Sequence, residues 1–459
     1  MNARTRKMAA ALAAMIVIAI LAGPAHALEI KKFKLANGAV LLVSEQHQLP
    51  MVSMAIAFDA GARRDPKGKE GLAALTASSL MQGTSHLSAA EFNQKIDFMG
   101  SSISIAASRD YATASFTSLK KYADDSLHLM VQALQDPGLR DADIQRKMAD
   151  QVAAIKASEE EPGYVAGVAF NKLLFGDGPY GHPSEGSTDT VGKLKPDDVR
   201  AFYRDHYRMG SAVIAVGGDV DANSVKDKLE KEFTSLAGTV PEQAEPAAVV
   251  VAPGLHADLI DRNVAQANLV LGFGGVARSN PDYYKLEVMN YILGGGGFAS
   301  RLMKVVRSKA GLAYGIGSGF HAGKFPGAFL IVLQTKNQSS NEALKLILQQ
   351  MREIQDAPVS DAELESARKY LIGSFPLKID RQSEIVGFML ETELYGLGTD
   401  YAERYPQLIG AVTKADVQKV ARDYLHPDAI DLVAVANQSE AKINVGGLES
   451  HKQASAANP

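Results

Sequence analysis

The chain follows one local plan twice, at a fixed spacing. Asp198-Val199-Arg200-Ala201-Phe202-Tyr203-Arg204-Asp205-His206-Tyr207 leads into the apolar run Ala212-Val213-Ile214-Ala215-Val216. Asp416-Val417-Gln418-Lys419-Val420-Ala421-Arg422-Asp423-Tyr424-Leu425 leads into Leu432-Val433-Ala434-Val435. Each pair reads as a helix followed by a buried strand. Asp198 and Asp416 stand 218 residues apart. A second pair, Leu127-His128-Leu129-Met130 and Leu344-Lys345-Leu346-Ile347, is offset by 217, and each member is an amphipathic helix pattern that follows a strand pattern (residues 113–118 and 328–334). Unrelated segments sharing one offset argue for a duplicated unit of about 200 residues. Such a chain folds as two similar domains, each with its own core.

The boundary between the copies is also visible. Residues 236–253 carry three prolines and alternate small with polar side chains, as a linker does. Strand pairs such as 40–43 and 52–58, around a turn at Pro50, are interrupted by long helical patterns. That mixture favours an α+β unit with a mostly antiparallel sheet covered by helices over a strict βαβ repeat. The expected division is a signal peptide (1–27), a first α/β-roll domain (28–238), a linker (239–253), a second α/β-roll domain (254–447) and a polar, disordered tail (448–459).

The first residues have the three parts of an export signal. Arg4, Arg6 and Lys7 precede an apolar run at 8–21, and Ala25-His26-Ala27 is a small-residue cleavage site. A run of about 14 is shorter than the roughly 20 residues a membrane span needs, which favours a cleaved signal over the alternative of an uncleaved anchor. The mature chain, starting at Leu28, is then expected in a bacterial periplasm, with no membrane attachment. Removing the three basic residues takes the formal charge from −4 to −7, and no basic patch suggests nucleic acid. The chain has no cysteine, which excludes disulfides, thiolate catalysis and zinc–cysteine sites.

The segment Gly71-Leu72-Ala73-Ala74-Leu75-Thr76-Ala77-Ser78-Ser79-Leu80-Met81-Gln82-Gly83-Thr84 resembles the zinc helix of the pitrilysin/insulinase-type metallopeptidases, G-L-A-H-x-x-E-H-x-x-x-x-G-T. Gly71, Leu72, Ala73, Gly83 and Thr84 match. Ala74 and Ser78 stand in place of the two histidines, and Ala77 in place of the glutamate that takes a proton from metal-bound water. Two histidines at i and i+4 share one helix face, and a catalytic zinc needs about three protein ligands. An alanine methyl has no lone pair, and a neutral serine hydroxyl is a poor ligand. The family's third ligand, a glutamate about 75 residues on, falls near Ala154, and no acid lies between Asp150 and Glu159. No metal is expected in this chain.

The resemblance continues in the second half. Leu293-Gly294-Gly295-Gly296-Gly297-Phe298-Ala299-Ser300-Arg301-Leu302, then Arg307-Ser308-Lys309-Ala310-Gly311-Leu312-Ala313-Tyr314, is similar to the family's L-G-G-G-x-x-S-R-L and R-x-x-x-G-L-x-Y. It implies that Arg307 and Tyr314 complete an active site from the opposite half of a clamshell. A phenol aimed at the developing oxyanion and an arginine fork on substrate carbonyls suit peptide hydrolysis. If Arg307 ends a helix and Tyr314 opens a strand after a turn at Gly311, both can face one cleft. Outside this context an arginine in a last helical turn commonly serves the helix dipole, and a tyrosine opening a strand commonly packs in a core. Gly294, Gly295, Gly296 and Gly297 lack a P-loop lysine, which favours a loop contacting peptide or partner, or a plain tight turn, over a phosphate cradle.

The remaining candidates are sparse. His182-Pro183-Ser184-Glu185-Gly186 reads as a loop, residues 159–161 as a solvated helix end, and His47, His128, His206 and His321 lack ligand spacing. No G-x-S-x-G is present, and no base or acid at informative spacing supports a hydrolase built on Ser78. The resemblance, covering nearly all of the chain from Leu35 to about Asn437, implies a zinc-less subunit that supplies Arg307 and Tyr314 to a homologous H-x-x-E-H partner. The zinc would sit on that partner, the substrates would be peptides, and the chain alone would be inactive. The alternative is a structural or peptide-binding protein on a peptidase-derived fold.

Overall fold

A computed structural model describes residues 28–244, 246, 249 and 253–444. The expected export signal at 1–27 and the expected disordered tail at 448–459 lie outside the described residues. Among the described residues, no helix is long and apolar enough to cross a membrane.

Two sheets form the frame. The first has strand order β1-β2-β6-β3-β5-β4, built from β1 (Lys31–Lys34), β2 (Val40–Glu45), β3 (Met51–Phe58), β4 (Ser102–Ala107), β5 (Ala112–Leu119) and β6 (Val213–Gly218). The second has order β7-β11-β8-β10-β9, from β7 (Gly254–Asp261), β8 (Gln266–Gly274), β9 (Ala313–His321), β10 (Ala328–Lys336) and β11 (Ala429–Ala436). In each sheet the strand that comes last in sequence pairs parallel to one neighbour, β2 or β7, and every other pairing is antiparallel. Strand for strand, β2-β6-β3-β5-β4 corresponds to β7-β11-β8-β10-β9, with β1 as an addition. The fold is α+β and duplicated.

The repeat is visible down to the helix caps. Asp198 and Asp416 occupy the same position in helices Pro196–His206 and Lys414–Tyr424. Each carboxylate accepts the backbone N–H of its N-cap residue, Lys195 or Thr413, at 2.9 Å. That bond satisfies a donor near the helix start and places a negative charge at the positive end of the helix. Leu127 and Leu344, 217 apart, are both buried, one in each core.

The halves exchange a helix. Helix Pro162–Phe175 of the first half lays Ala166, Phe170 and Leu174 on Val270, Val433 and Val435 of the second sheet. Helix Gln382–Leu394 of the second half lays Ile385, Val386, Met389 and Leu390 on Leu42, Ala55 and Ala215 of the first. One face of each sheet therefore packs on its own helices and the other on a helix from the opposite half. Burying each such aliphatic or aromatic side chain stabilises by about 1.5–3 kcal/mol. The segment joining the halves is also anchored: Arg64 donates to the Pro241 carbonyl at 2.8 Å, and Gln243 donates to the Arg63 carbonyl at 2.9 Å.

Candidate functional site

The zinc-type helix runs Leu72–Leu80. Gly71 precedes it with φ +95°, a conformation that disfavours any residue with a Cβ. The Asp65 carboxylate accepts from the Gly71 and Ala73 amides, both at 2.7 Å, and so serves the N–H groups that a helix start leaves unpaired. Burial pushes the Asp65 carboxyl up to about 7 against the opposing pull of those two bonds. The loop of His182 and Glu185 braces the same end, where Gln151 donates to the Gly71 carbonyl at 3.1 Å and the Glu185 carbonyl at 2.7 Å.

Of the nine helix residues, Ala74 and Ser78 alone are half-exposed, while the other seven are buried. The i and i+4 face is therefore open, as a ligand face would be, but it carries a methyl group and a hydroxyl. The Ser78 hydroxyl donates to the Leu75 carbonyl at 3.0 Å. Ala77 is completely buried, so no free space waits there for a carboxylate. Ala154 lies exposed on helix Asp141–Glu159. Among the described residues, no group of three or more His, Cys, Asp or Glu side chains could hold a metal ion. This donor set does not fit a hydrolytic zinc.

The second-half site is built on irregular helix. After helix Tyr283–Asn290 the chain makes a π turn at Tyr291–Gly295, a short 3-10 turn at Gly297–Ala299 and a second π segment at Met303–Lys309. Such π segments are rare and cluster at functional sites. Gly294 stands 217 residues after Ala77, and the two segments lie against matching edge strands, β9 and β4. The glycine run is thus the repeat's copy of the zinc-type helix. Its first glycine is needed for packing: a Cβ on Gly294 would lie 2.3 Å from the Ser318 hydroxyl and 2.8 Å from Leu302. Gly294 is buried, Gly295 and Gly297 are exposed and Gly296 is half-exposed. Asn290 ties the turn to β9, donating to the Ser318 carbonyl at 3.1 Å and accepting from its hydroxyl at 2.6 Å.

Arg307 sits on the second π segment, and Tyr314 is the second residue of β9, beyond Gly311 at φ +67°. The structure brings them together: the guanidinium lies 4.9 Å from the Tyr314 ring centre. It also lies 4.6 Å from the ring of Phe298, a residue the spacing argument did not single out. Cation–π contacts at exposed sites are worth about 0.5–1 kcal/mol each. Tyr314 is 84% exposed and Phe298 68%. Among the described residues, no acceptor or carboxylate engages the Arg307 guanidinium. The neighbouring Arg301 is committed, with Nε and Nη2 on the two oxygens of Glu363 at 2.7 and 3.0 Å. Burial would raise the Glu363 carboxyl, but the Arg301 fork and the bonds from Ser360 outweigh it and hold the carboxyl at about 2.

A further repeat, missed in the reading of spacings, underlies both sites. Ala62-Arg63-Arg64-Asp65-Pro66 and Ala277-Arg278-Ser279-Asn280-Pro281 stand 215 apart. Asp65 and Asn280 both accept backbone N–H groups at the start of the following helix. Arg63 and Arg278 are both buried, each over aromatic rings, Tyr111 and Phe325 for one and Tyr283 and Tyr401 for the other. The shared A-R-x-[D/N]-P pattern was the available signal.

The insulinase (peptidase family M16) model matches residues 40–183, and the peptidase M16 inactive domain model matches residues 193–371. A Streptomyces coelicolor protein named as an uncharacterized zinc protease is 28% identical over 397 residues, covering 84% of this chain and 86% of that protein. The non-peptidase homolog YmxG of Helicobacter pylori is 23% identical over 403 residues, covering 88% and 93%. The crystal structure of a peptidase M16 inactive domain from Pseudomonas fluorescens superposes with a TM-score of 0.84 at 28% identity, covering 89% of this chain and 98% of that one.

Proposed function

Because the chain belongs to the insulinase (M16) peptidase family, we propose that it is the zinc-less subunit of a heterodimeric periplasmic peptidase. The match to the inactive-domain model, the non-peptidase relative and the donor-poor helix Leu72–Leu80 support a non-catalytic role for this chain. The observation that carries the further step is the contrast between the two sites. One has lost its donors, while the other keeps Arg307 and Tyr314 in contact, on an exposed rim, with no competing acceptor among the described residues.

In this reading a homologous chain with an intact H-x-x-E-H holds the zinc. Arg307 offers in-plane N–H donors to substrate carbonyl oxygens, and the Tyr314 hydroxyl donates to the oxygen that gains charge during peptide hydrolysis. Substrates are peptides small or unfolded enough to enter between the subunits. The experiment is reconstitution. The chain alone should hydrolyse no peptide, and the zinc-bearing chain, purified apart from it, should become active on adding it. Arg307→Ala or Tyr314→Phe should then lower kcat about 10- to 1,000-fold. Unchanged turnover in both variants would discard the idea.

A second reading, peptide binding without catalysis, has one observation in its favour. A groove of about 570 Å³ runs between β5 and helix Gln382–Leu394, lined by Thr113, Ser115 and Thr117 and by the phenols of Tyr111, Tyr283 and Tyr395. Burial keeps all three phenols neutral, so they are available as donors to main-chain carbonyls. Peptide affinity in the isolated chain, unaffected by Arg307→Ala, would favour this reading.

A further inference from the structure

Phe298 is a large apolar side chain left mostly in water. Single exposed hydrophobic residues are ordinary, but this one is held in place. It stands on the 3-10 turn Gly297–Ala299, whose first residue has φ +52°. The fully buried Ser300 donates to the Gly297 carbonyl at 2.7 Å and accepts the Met303 amide at 3.4 Å. The turn carrying Phe298 is thereby bonded to the π segment carrying Arg307. That segment is in turn anchored by the buried Met303 and Val306.

The ring centres of Phe298 and Tyr314 both lie within 5 Å of the same guanidinium carbon. The two rings therefore share one cation. The N–H donors of a guanidinium all lie in its own plane, so contacts that fix where the cation stands restrict the directions in which it can donate.

We propose that Phe298 is a positioning residue, which with Tyr314 clamps the Arg307 guanidinium and presents its N–H edge to the carbonyl oxygens of an extended peptide. The consequence for turnover rests on the trans-complementation reading above; the clamp itself does not. Phe298 touches no reacting atom and acts through Arg307.

Two measurements test it. In the isolated, isotopically labelled chain, ring currents from Phe298 should displace the Arg307 Hδ and Hε resonances. Phe298→Leu should shift them towards random-coil values, and Phe298→Tyr should restore them. Unchanged Arg307 resonances in Phe298→Leu overturn the clamp whatever the activity. In the reconstituted peptidase, Phe298→Leu should lower kcat about 2- to 5-fold with KM unchanged, and Phe298→Tyr should recover it. Full kcat in Phe298→Leu beside a large loss in Arg307→Ala overturns the positioning role. Silence of Arg307→Ala itself refutes the functional reading instead, and the resonance shifts then decide the clamp alone.

Discussion

The Tyr180 hydroxyl donates to Asp110 Oδ1 at 2.6 Å and accepts the Phe325 amide at 3.1 Å. Asp110 Oδ2 accepts the Lys324 amide at 2.9 Å. Tyr180 and Asp110 belong to the first half, and residues 324 and 325 to the turn between β9 and β10 of the second. Two side chains thus tie the halves through backbone groups, close to the strand that bears Tyr314. Burial, and then the charge of Asp110, hold the Tyr180 phenol neutral far above neutral pH.

Asp110→Ala should lower stability in urea unfolding by about 1–3 kcal/mol for each group it leaves unpaired, the Tyr180 hydroxyl and the Lys324 amide. Tyr180→Phe should cost a similar amount, since it strands the Phe325 amide and Asp110 Oδ1. Gly323→Ala should also destabilise, since its Cβ would lie 2.7 Å from Asp110 Oδ2 and 2.8 Å from the Tyr180 hydroxyl oxygen. An unfolding midpoint unmoved in all three would show that this contact does not hold the halves.

Within the glycine run, position matters more than glycine content. Gly294→Ala meets Ser318 and Leu302 in a close-packed interior and should cost about 1–3 kcal/mol. Gly297→Ala meets nothing within 4 Å and pays only for its positive φ, about 1 kcal/mol. Thermal melts of the two variants should rank in that order. The reverse order would mean that the π turn is not what the first glycine serves.

Rebuilding the metal site should fail in a graded way. Ala74→His and Ser78→His fall on the half-exposed face and should be tolerated within about 1 kcal/mol. Ala77→Glu forces a carboxylate into a fully buried position and should cost several kcal/mol. The wild-type chain should hold no stoichiometric zinc by metal analysis. A stable triple variant with tightly bound zinc would contradict the packing argument.

Acid should expose the Arg301–Glu363 pair. The Glu363 carboxyl falls from its ordinary value of 4.5 to about 2 in the folded chain. A depressed carboxyl stabilises the fold fully above pH 4.5, and that contribution is lost as pH falls through about 2. Glu363→Gln should lower stability at pH 7 and flatten the acid limb between pH 4.5 and 2. An acid limb as steep as in the wild type would place the proton uptake elsewhere.

The repeat was legible because helix caps and buried strands are local: Asp198 and Asp416 each need only an N-cap three residues away, and Leu127 and Leu344 need only a helical period. The loss of metal donors was equally legible, since no packing can give Ala74 or Ala77 a lone pair. Arg307 and Tyr314 could be named from the sequence, but not Phe298, which is linked to them only through space. The A-R-x-[D/N]-P repeat and the Asp110–Tyr180 contact were missed for a related reason: their partners come from distant loops.

The chain by itself determined that it is duplicated, that alanine and serine stand at the family's zinc-ligand positions, and where its second-half candidates lie, because those properties follow from donor chemistry and short-range periodicity. Only the tertiary structure decided that each half lends a helix to the other's sheet and that two rings meet on one guanidinium. Close packing between residues far apart in sequence makes those contacts, and no local pattern encodes which side chains will face one another across a folded interior.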